Sequence, residues 1–201
     1  MSRVFEYLRE AMGWRRAGIT VIAGMIAALA MPPLDFWPLL FVAIPLVLFM
    51  LEGIERRRRL QSFILGWSFG FGYFIVAFHW IGFAFFVDTE NYLWMMPFAV
   101  GGLAGAMAIY WGLAFACVTL SGLKRFRAAL VFAASLALFE YLRGVLFTGF
   151  PWAAPGLAGD GMGAVAQTAA LWGMPGLTVL ILLWSAVWPF VFDGHSPRLH
   201  R

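Results

Sequence analysis

Glu140-Tyr141-Leu142-Arg143-Gly144-Val145-Leu146-Phe147-Thr148-Gly149-Phe150-Pro151-Trp152 sets a carboxylate and a guanidinium three residues apart at the end of an apolar run, then breaks into an aromatic loop punctuated by glycine and proline. On a helix, residues at i and i+3 share a face, so Glu140 and Arg143 are placed to pair. Ionisable groups at that depth are costly in lipid and face a protein interior or a wet cavity. The stretch is read as the end of a membrane helix at which something is held or bound.

The rest of the chain agrees with that reading. Of its 201 residues 63% are hydrophobic and 12% charged, more apolar surface than a soluble fold can hide. The formal charge of +4 comes from short basic clusters between apolar runs, the pattern of juxtamembrane charge rather than of a nucleic-acid surface. One cysteine gives no internal disulfide framework, and three scattered histidines give no metal-ligand spacing. No Walker loop, G-x-S-x-G elbow or H-E-x-x-H is present.

Upstream of the opening stretch, residues 128–143 form the fifth of six apolar runs. The first, 17–31, follows a basic segment (1–16) in which Phe5, Leu8 and Met12 suit a short interfacial helix. That start also has the look of a cleavable signal peptide, but its apolar run belongs to a series of spans that continues to the end of the chain. Pro32 and Pro33 stop it. The second run, 36–51, ends at Glu52, Glu55 and the block Arg56-Arg57-Arg58-Arg59. Both are shorter than the roughly 20 residues that span a bilayer comfortably, so a shallow hairpin and two full crossings stay open, and in either case both flanks lie on one side. The third run, 62–87, carries Gly66 and Gly70 at GxxxG spacing, and the fourth, 92–120, carries Gly101 and Gly105, with Pro97 as its start or a kink. Downstream come a Gly/Ala-rich connection at 153–163, a short helix at 164–172, the turn Gly173-Met174-Pro175-Gly176, a sixth run at 177–191 and a polar tail at 192–201.

Six crossings with a cytoplasmic N-terminus put every lysine and arginine except Arg143 on the inner side. Positively charged loops stay cytoplasmic, so both termini are expected inside and the loop at 144–163 outside. The expected fold is all-α, a polytopic membrane helix bundle whose transmembrane domain is 17–191.

Two readings of the Glu140–Arg143 pair stay open: a structural pin for the helix end, or a site that positions an anionic headgroup or substrate, since arginine recognises phosphate bidentately. Phe147, Phe150 and Trp152 suit an interfacial aromatic belt, while Gly149 and Pro151 suit a re-entrant turn buried against protein, an acyl-chain and headgroup cradle. Cys117, deep in the fourth run, is desolvated and unsuited to thiolate chemistry. His79 reads as a packed, hydrogen-bonded histidine rather than a proton relay or haem ligand.

Taken in order, Pro32-Pro33-Leu34-Asp35-Phe36-Trp37-Pro38, Gly66-Trp67-Ser68-Phe69-Gly70-Phe71-Gly72 leading to His79-Trp80, Glu140-x-x-Arg143-Gly144, Thr148-Gly149-Phe150-Pro151-Trp152 and Gln167 before the 173–176 turn resemble the N-terminal membrane region of bacterial apolipoprotein N-acyltransferase. The resemblance runs along nearly the whole chain. It implies a bacterial inner-membrane, multi-pass bundle joined, in that family, to a periplasmic nitrilase-like domain with a Glu-Lys-Cys triad. There the cysteine takes an acyl chain from a phospholipid as a thioester, and the N-terminal cysteine amine of an apolipoprotein resolves it.

This sequence departs from that pattern by ending at Arg201, before any such domain, and Cys117 does not match the family nucleophile. The resemblance therefore implies a membrane half, from a truncated, frameshifted or split gene, expected to be inactive alone. It carries no catalytic residue, metal ligand or cofactor. Its implied substrate-binding residues are Glu140 and Arg143, in support, with Phe150, Pro151 and Trp152 near the lipid entrance. The implied partners are the phospholipid acyl donor, the apolipoprotein acceptor through a separate catalytic domain, and the membrane, with no nucleic acid. A non-enzymatic lipid-binding or scaffold module is the first rival, and a small transporter the second, disfavoured by the absence of an inverted repeat.

Overall fold

The computed structural model describes residues 13–55, 58–147 and 149–191, the side chain of Val191 excepted. The expected interfacial helix at Phe5, Leu8 and Met12, Arg56 and Arg57 of the basic block, Thr148 and the tail from 192 lie outside the described residues.

Among the described residues the chain is helical with no strand. Helix α1 is Gly13–Ala28, α2 Pro38–Glu52, α3 Arg59–Ala77, α4 the single turn Thr89–Tyr92, α5 Met96–Ser121, α6 Phe126–Val145, α7 the single turn Ala164–Gln167 and α8 Ala169–Val191. Local chemistry sets three of these bounds. Pro38 opens α2, where its missing N–H costs nothing. Pro97 lies in the first turn of α5, so it starts the helix rather than kinking it. Gly122 closes α5 in the left-handed conformation at φ 68°.

One boundary differs from the sequence reading. The third apolar run does not continue as one helix to residue 87: α3 stops at Ala77 and His79–Phe86 winds as a 3-10 helix. Phe78 turns inward against Phe74, ring centroids 5.1 Å apart, while Trp80, Phe83 and Phe86 face outward. The turn at 173–176 divides α8 into two helical pieces, as the sequence reading has it. It is a kink within α8, non-helical only at Gly173 (φ 68°, ψ −177°), and Pro175 follows where a helix accepts proline.

Among the described residues, four segments are long and apolar enough to cross a membrane: Arg59–Ala77, Thr89–Ser121, Phe126–Val145 and Ala169–Phe190. The hairpin helices α1 and α2 have 16 and 15 residues. At about 1.5 Å per residue they reach only some 24 and 22 Å.

The six longer helices form a closed ring in the order α1, α3, α5, α6, α8, α2 and back to α1. Close backbone approach makes the tightest joint. A Cβ at Gly24 of α1 would sit 2.0 Å from the Phe69 carbonyl oxygen, and one at Gly72 of α3 would sit 2.0 Å from that of Val21. Only glycine fits either place, and such contact is the main source of helix association in lipid. The two GxxxG pairs behave differently. Gly66 and Gly70 lie against Phe115 and Trp111 of α5, whereas Gly101 has nothing within 4 Å of its Cβ position and Gly105 gives its carbonyl to the Trp67 indole N–H at 2.9 Å.

Aromatic rings fill the interior between α3, α5 and α6. Trp111 packs on Phe69, Tyr73 and Phe74 with centroids 5.3, 4.7 and 5.2 Å away, and Phe115 meets Phe132 edge to face at 5.2 Å. Such pairs contribute about 0.5–1.5 kcal/mol each beyond area burial. This cluster forms the floor beneath the end of α6.

Candidate functional site

Glu140 and Arg143 stand on the inner face of α6 in its last two turns, and their side chains are almost wholly buried, 4% and 0% exposed. Glu140 Oε1 accepts from Trp111 Nε1 at 2.7 Å and from Arg143 Nε at 3.0 Å, while its Oε2 accepts from Arg143 Nη2 at 2.6 Å. The fork-on-carboxylate geometry is the strong form of this pairing. Arg143 Cζ also lies 5.0 Å from the centre of the Phe74 ring. An aromatic face so close favours a cation that has left water.

The third arm of the guanidinium reaches the loop. Nη1 donates to the carbonyl oxygen of Phe150 and, at 3.0 Å, to that of Trp152. Tyr73 on α3 donates its hydroxyl to the next carbonyl, that of Ala153, at 3.0 Å. In the other direction the Phe150 amide donates to the Arg143 carbonyl at 2.9 Å. Loop carbonyls that would otherwise lack donors at membrane depth are thus held by α6 and α3.

The loop can fold back this tightly because of Gly149. Its φ is 79°, and a Cβ there would lie 2.1 Å from the Gly144 carbonyl oxygen. Pro151 then fixes the direction of the chain. Phe150 turns in and meets Phe78 edge to face at 5.2 Å. Trp152 turns out, 58% exposed, its ring 5.7 Å from that of exposed Trp80. Phe147, at φ 51°, is 92% exposed on the same loop.

The residues singled out from sequence therefore come together in two layers. Glu140, Arg143 and the Phe150 ring form a buried support, while Pro151 and Trp152 form the outer surface that it carries. Sequence reasoning missed Trp111, Tyr73 and Phe74, which complete the support. A tryptophan inside an apolar run needs an acceptor for its indole N–H, and that need was the available signal for Trp111.

Other residues with possible chemistry stand apart. His79 is exposed and bonded through Nδ1 to the Val76 carbonyl at 2.7 Å, so it is hydrogen-bonded as expected but not packed inside. Cys117 is a half-buried free thiol on α5. No group of three or more His, Cys, Asp or Glu side chains that could hold a metal ion occurs among the described residues.

Among the described residues, a ring of apolar helices with four segments long enough to cross a membrane, and a buried ion pair at one end that carries an aromatic loop, define an all-helical protein of the membrane class. The family model described as "Apolipoprotein N-acyltransferase N-terminal domain" matches residues 23–187, and the chain belongs to that family. It is 38% identical to the apolipoprotein N-acyltransferase of Rhodopseudomonas palustris, with 100% of this chain aligned to 38% of that protein. The enzymes of the same name from Allorhizobium ampelinum and Brucella melitensis are each 35% identical, over 90% and 92% of this chain and 35% and 36% of their own lengths. The chain thus spans little more than a third of the length of these curated relatives.

Proposed function

We propose that this chain is the membrane portion of an apolipoprotein N-acyltransferase, acting in lipoprotein maturation. In that reaction an acyl chain passes from a phospholipid to the N-terminal cysteine amine of an apolipoprotein. The observation that carries this reading is the family match over residues 23–187. The geometry at the end of α6 supports a definite role within it.

In this proposal Glu140 and Arg143 are positioning residues. Their polar atoms are directed to Trp111, to each other and to the loop carbonyls, so they act on lipid through the loop they hold. Pro151 and Trp152 make the contact with the phospholipid donor, with the Phe150 ring wedged beneath them. Exposed Trp80 and Phe147 extend the same apolar surface, which suits the boundary between acyl chains and headgroups. The attacking thiolate and the general base belong to the nitrilase-like domain of the family. This chain orders the donor beside it and calls on no cofactor or metal of its own.

The bundle is proposed to lie in the bacterial inner membrane with six crossings, both termini cytoplasmic and the 144–163 loop outside. Helices α1 and α2 fall short of a hydrocarbon core of about 30 Å, so they cross where the bilayer thins around them.

A chimera tests the proposal. Residues 1–201 replace the aligned region of the Rhodopseudomonas palustris enzyme, and acyl transfer from a fluorescent phospholipid to a lipidated peptide is followed in vesicles. The chimera is expected to transfer, and Trp152→Ala in it to raise KM for phospholipid severalfold with kcat little changed. A folded chimera without transfer overturns the family function. Unchanged phospholipid KM in the Trp152→Ala chimera removes the loop from the donor site.

A further inference from the structure

At the opposite end of the ring from Arg143, helices α2, α5, α6 and α8 part around a groove of about 810 Å³. That volume is in the range of small-molecule sites, about 300–1,000 Å³. Its walls are apolar, with Phe41 and Leu46 from α2, Val118 from α5, Ala129 from α6 and Trp188 and Pro189 from α8. Its mouth is polar, formed by Glu52, Lys124 and Arg125.

The groove is built into the helices. Pro45 inside α2 has no N–H for the carbonyl of Phe41, one turn earlier. The indole of Trp188 on α8 donates to that oxygen at 2.8 Å, which sets its ring as a fixed wall. Across from it Gly122, Ala128 and Ala129 supply too little volume to close the gap. At the mouth, Glu52 Oε1 accepts the Arg125 backbone N–H at 2.7 Å, which offsets part of its charge. Lys124 and Arg127 are exposed beside it, with Arg58 and Arg59 opening α3 on the same side of the bundle.

We infer that this groove holds an anionic phospholipid, one acyl chain lying against Phe41, Leu46 and Trp188 and the phosphate meeting Lys124. The site is separate from the proposed acyl-donor loop, and the inference does not depend on acyl transfer. Charge complementarity selects the occupant: an apolar slot that opens in the membrane under a basic mouth matches an anionic lipid rather than a zwitterionic one. The bound lipid fills the space between four helices and closes the bundle at its basic end.

The test uses the full chain in nanodiscs of phosphatidylcholine doped with photoactivatable phosphatidylglycerol or photoactivatable phosphatidylcholine, with crosslinked peptides read by mass spectrometry. Phosphatidylglycerol is expected to label the α2 and α8 walls, and phosphatidylcholine about fivefold less per basic charge engaged. Lys124→Gln, on an exposed turn where folding is not at risk, should reduce that preference about fivefold and leave phosphatidylcholine labelling unchanged. Ala129→Phe should fill the slot and abolish wall labelling by both lipids, while labelling elsewhere persists. Equal labelling by the two lipids, or labelling indifferent to both substitutions, overturns the proposal and leaves only bulk lipid. Crosslinks from the groove to a protein segment, with no lipid captured, overturn it in favour of a helix seated there.

Discussion

Arg143 is the residue on which the outer end depends. Its guanidinium has left water for a site with a carboxylate, an aromatic face and two carbonyl oxygens. Deleting the carboxylate by Glu140→Leu strands that charge, and an unpaired buried ion costs about 3–5 kcal/mol. Chemical unfolding in detergent micelles should show a loss of that size. Trp111→Phe keeps the ring and removes one N–H from Glu140; hydrogen bonds to charged groups contribute about 1.5–3 kcal/mol, so a smaller loss in that range is expected by the same assay. Arg143→Met leaves the buried Glu140 carboxylate without its cation, so it should destabilise the bundle and also release the loop, the latter seen as faster amide exchange at Phe150. The pairing itself was legible in the three-residue spacing. Its choice between pinning and binding was not, because spacing says nothing of the loop carbonyls that fold back to meet the free arm.

At the scale of elements, glycines on one face of a helix have unequal weight. Gly72→Ala brings a methyl group to within 2.0 Å of the Val21 carbonyl oxygen, so α1 and α3 must separate. Overpacking of this kind costs about 1–3 kcal/mol, and a lower thermal midpoint by light scattering is the expected result. Gly101→Ala meets no atom within 4 Å and removes a poor helix former, so its midpoint should stay or rise. Gly66/Gly70 and Gly101/Gly105 look alike as GxxxG in sequence, yet the first pair lies against Phe115 and Trp111 while Gly101 meets no atom within 4 Å. The 3-10 stretch His79–Phe86 was hidden for a related reason: its residues are as apolar as those of a span, and hydropathy does not separate a helix that crosses from aromatic chain lying at the boundary.

At the scale of the molecule, α6 links two ends of different character. Leu123 precedes it beside the basic turn, and exposed Phe147 follows it beside the aromatic loop. In a Cys117→Ser background, a membrane-impermeant maleimide is expected to label Phe147→Cys from outside intact spheroplasts and Leu123→Cys only after permeabilisation. Labelling of both from outside would contradict the proposed orientation. The ion pair at one end and the groove at the other share helices α5 and α6 but no side chain.

The sequence by itself determined an all-helical membrane-type chain, the helix bearing Glu140 and Arg143 and the broken aromatic loop after it. These follow from composition, a three-residue spacing and the backbone limits of glycine and proline, all local properties. Only the tertiary structure decided that the ring closes through α2 and α8, that Trp111 and Tyr73 complete the support, and that proline and small residues leave a groove at the basic end. Those features arise where helices distant in sequence meet, and in lipid such meetings are set by shape and unsatisfied polar atoms, which no single stretch of sequence records.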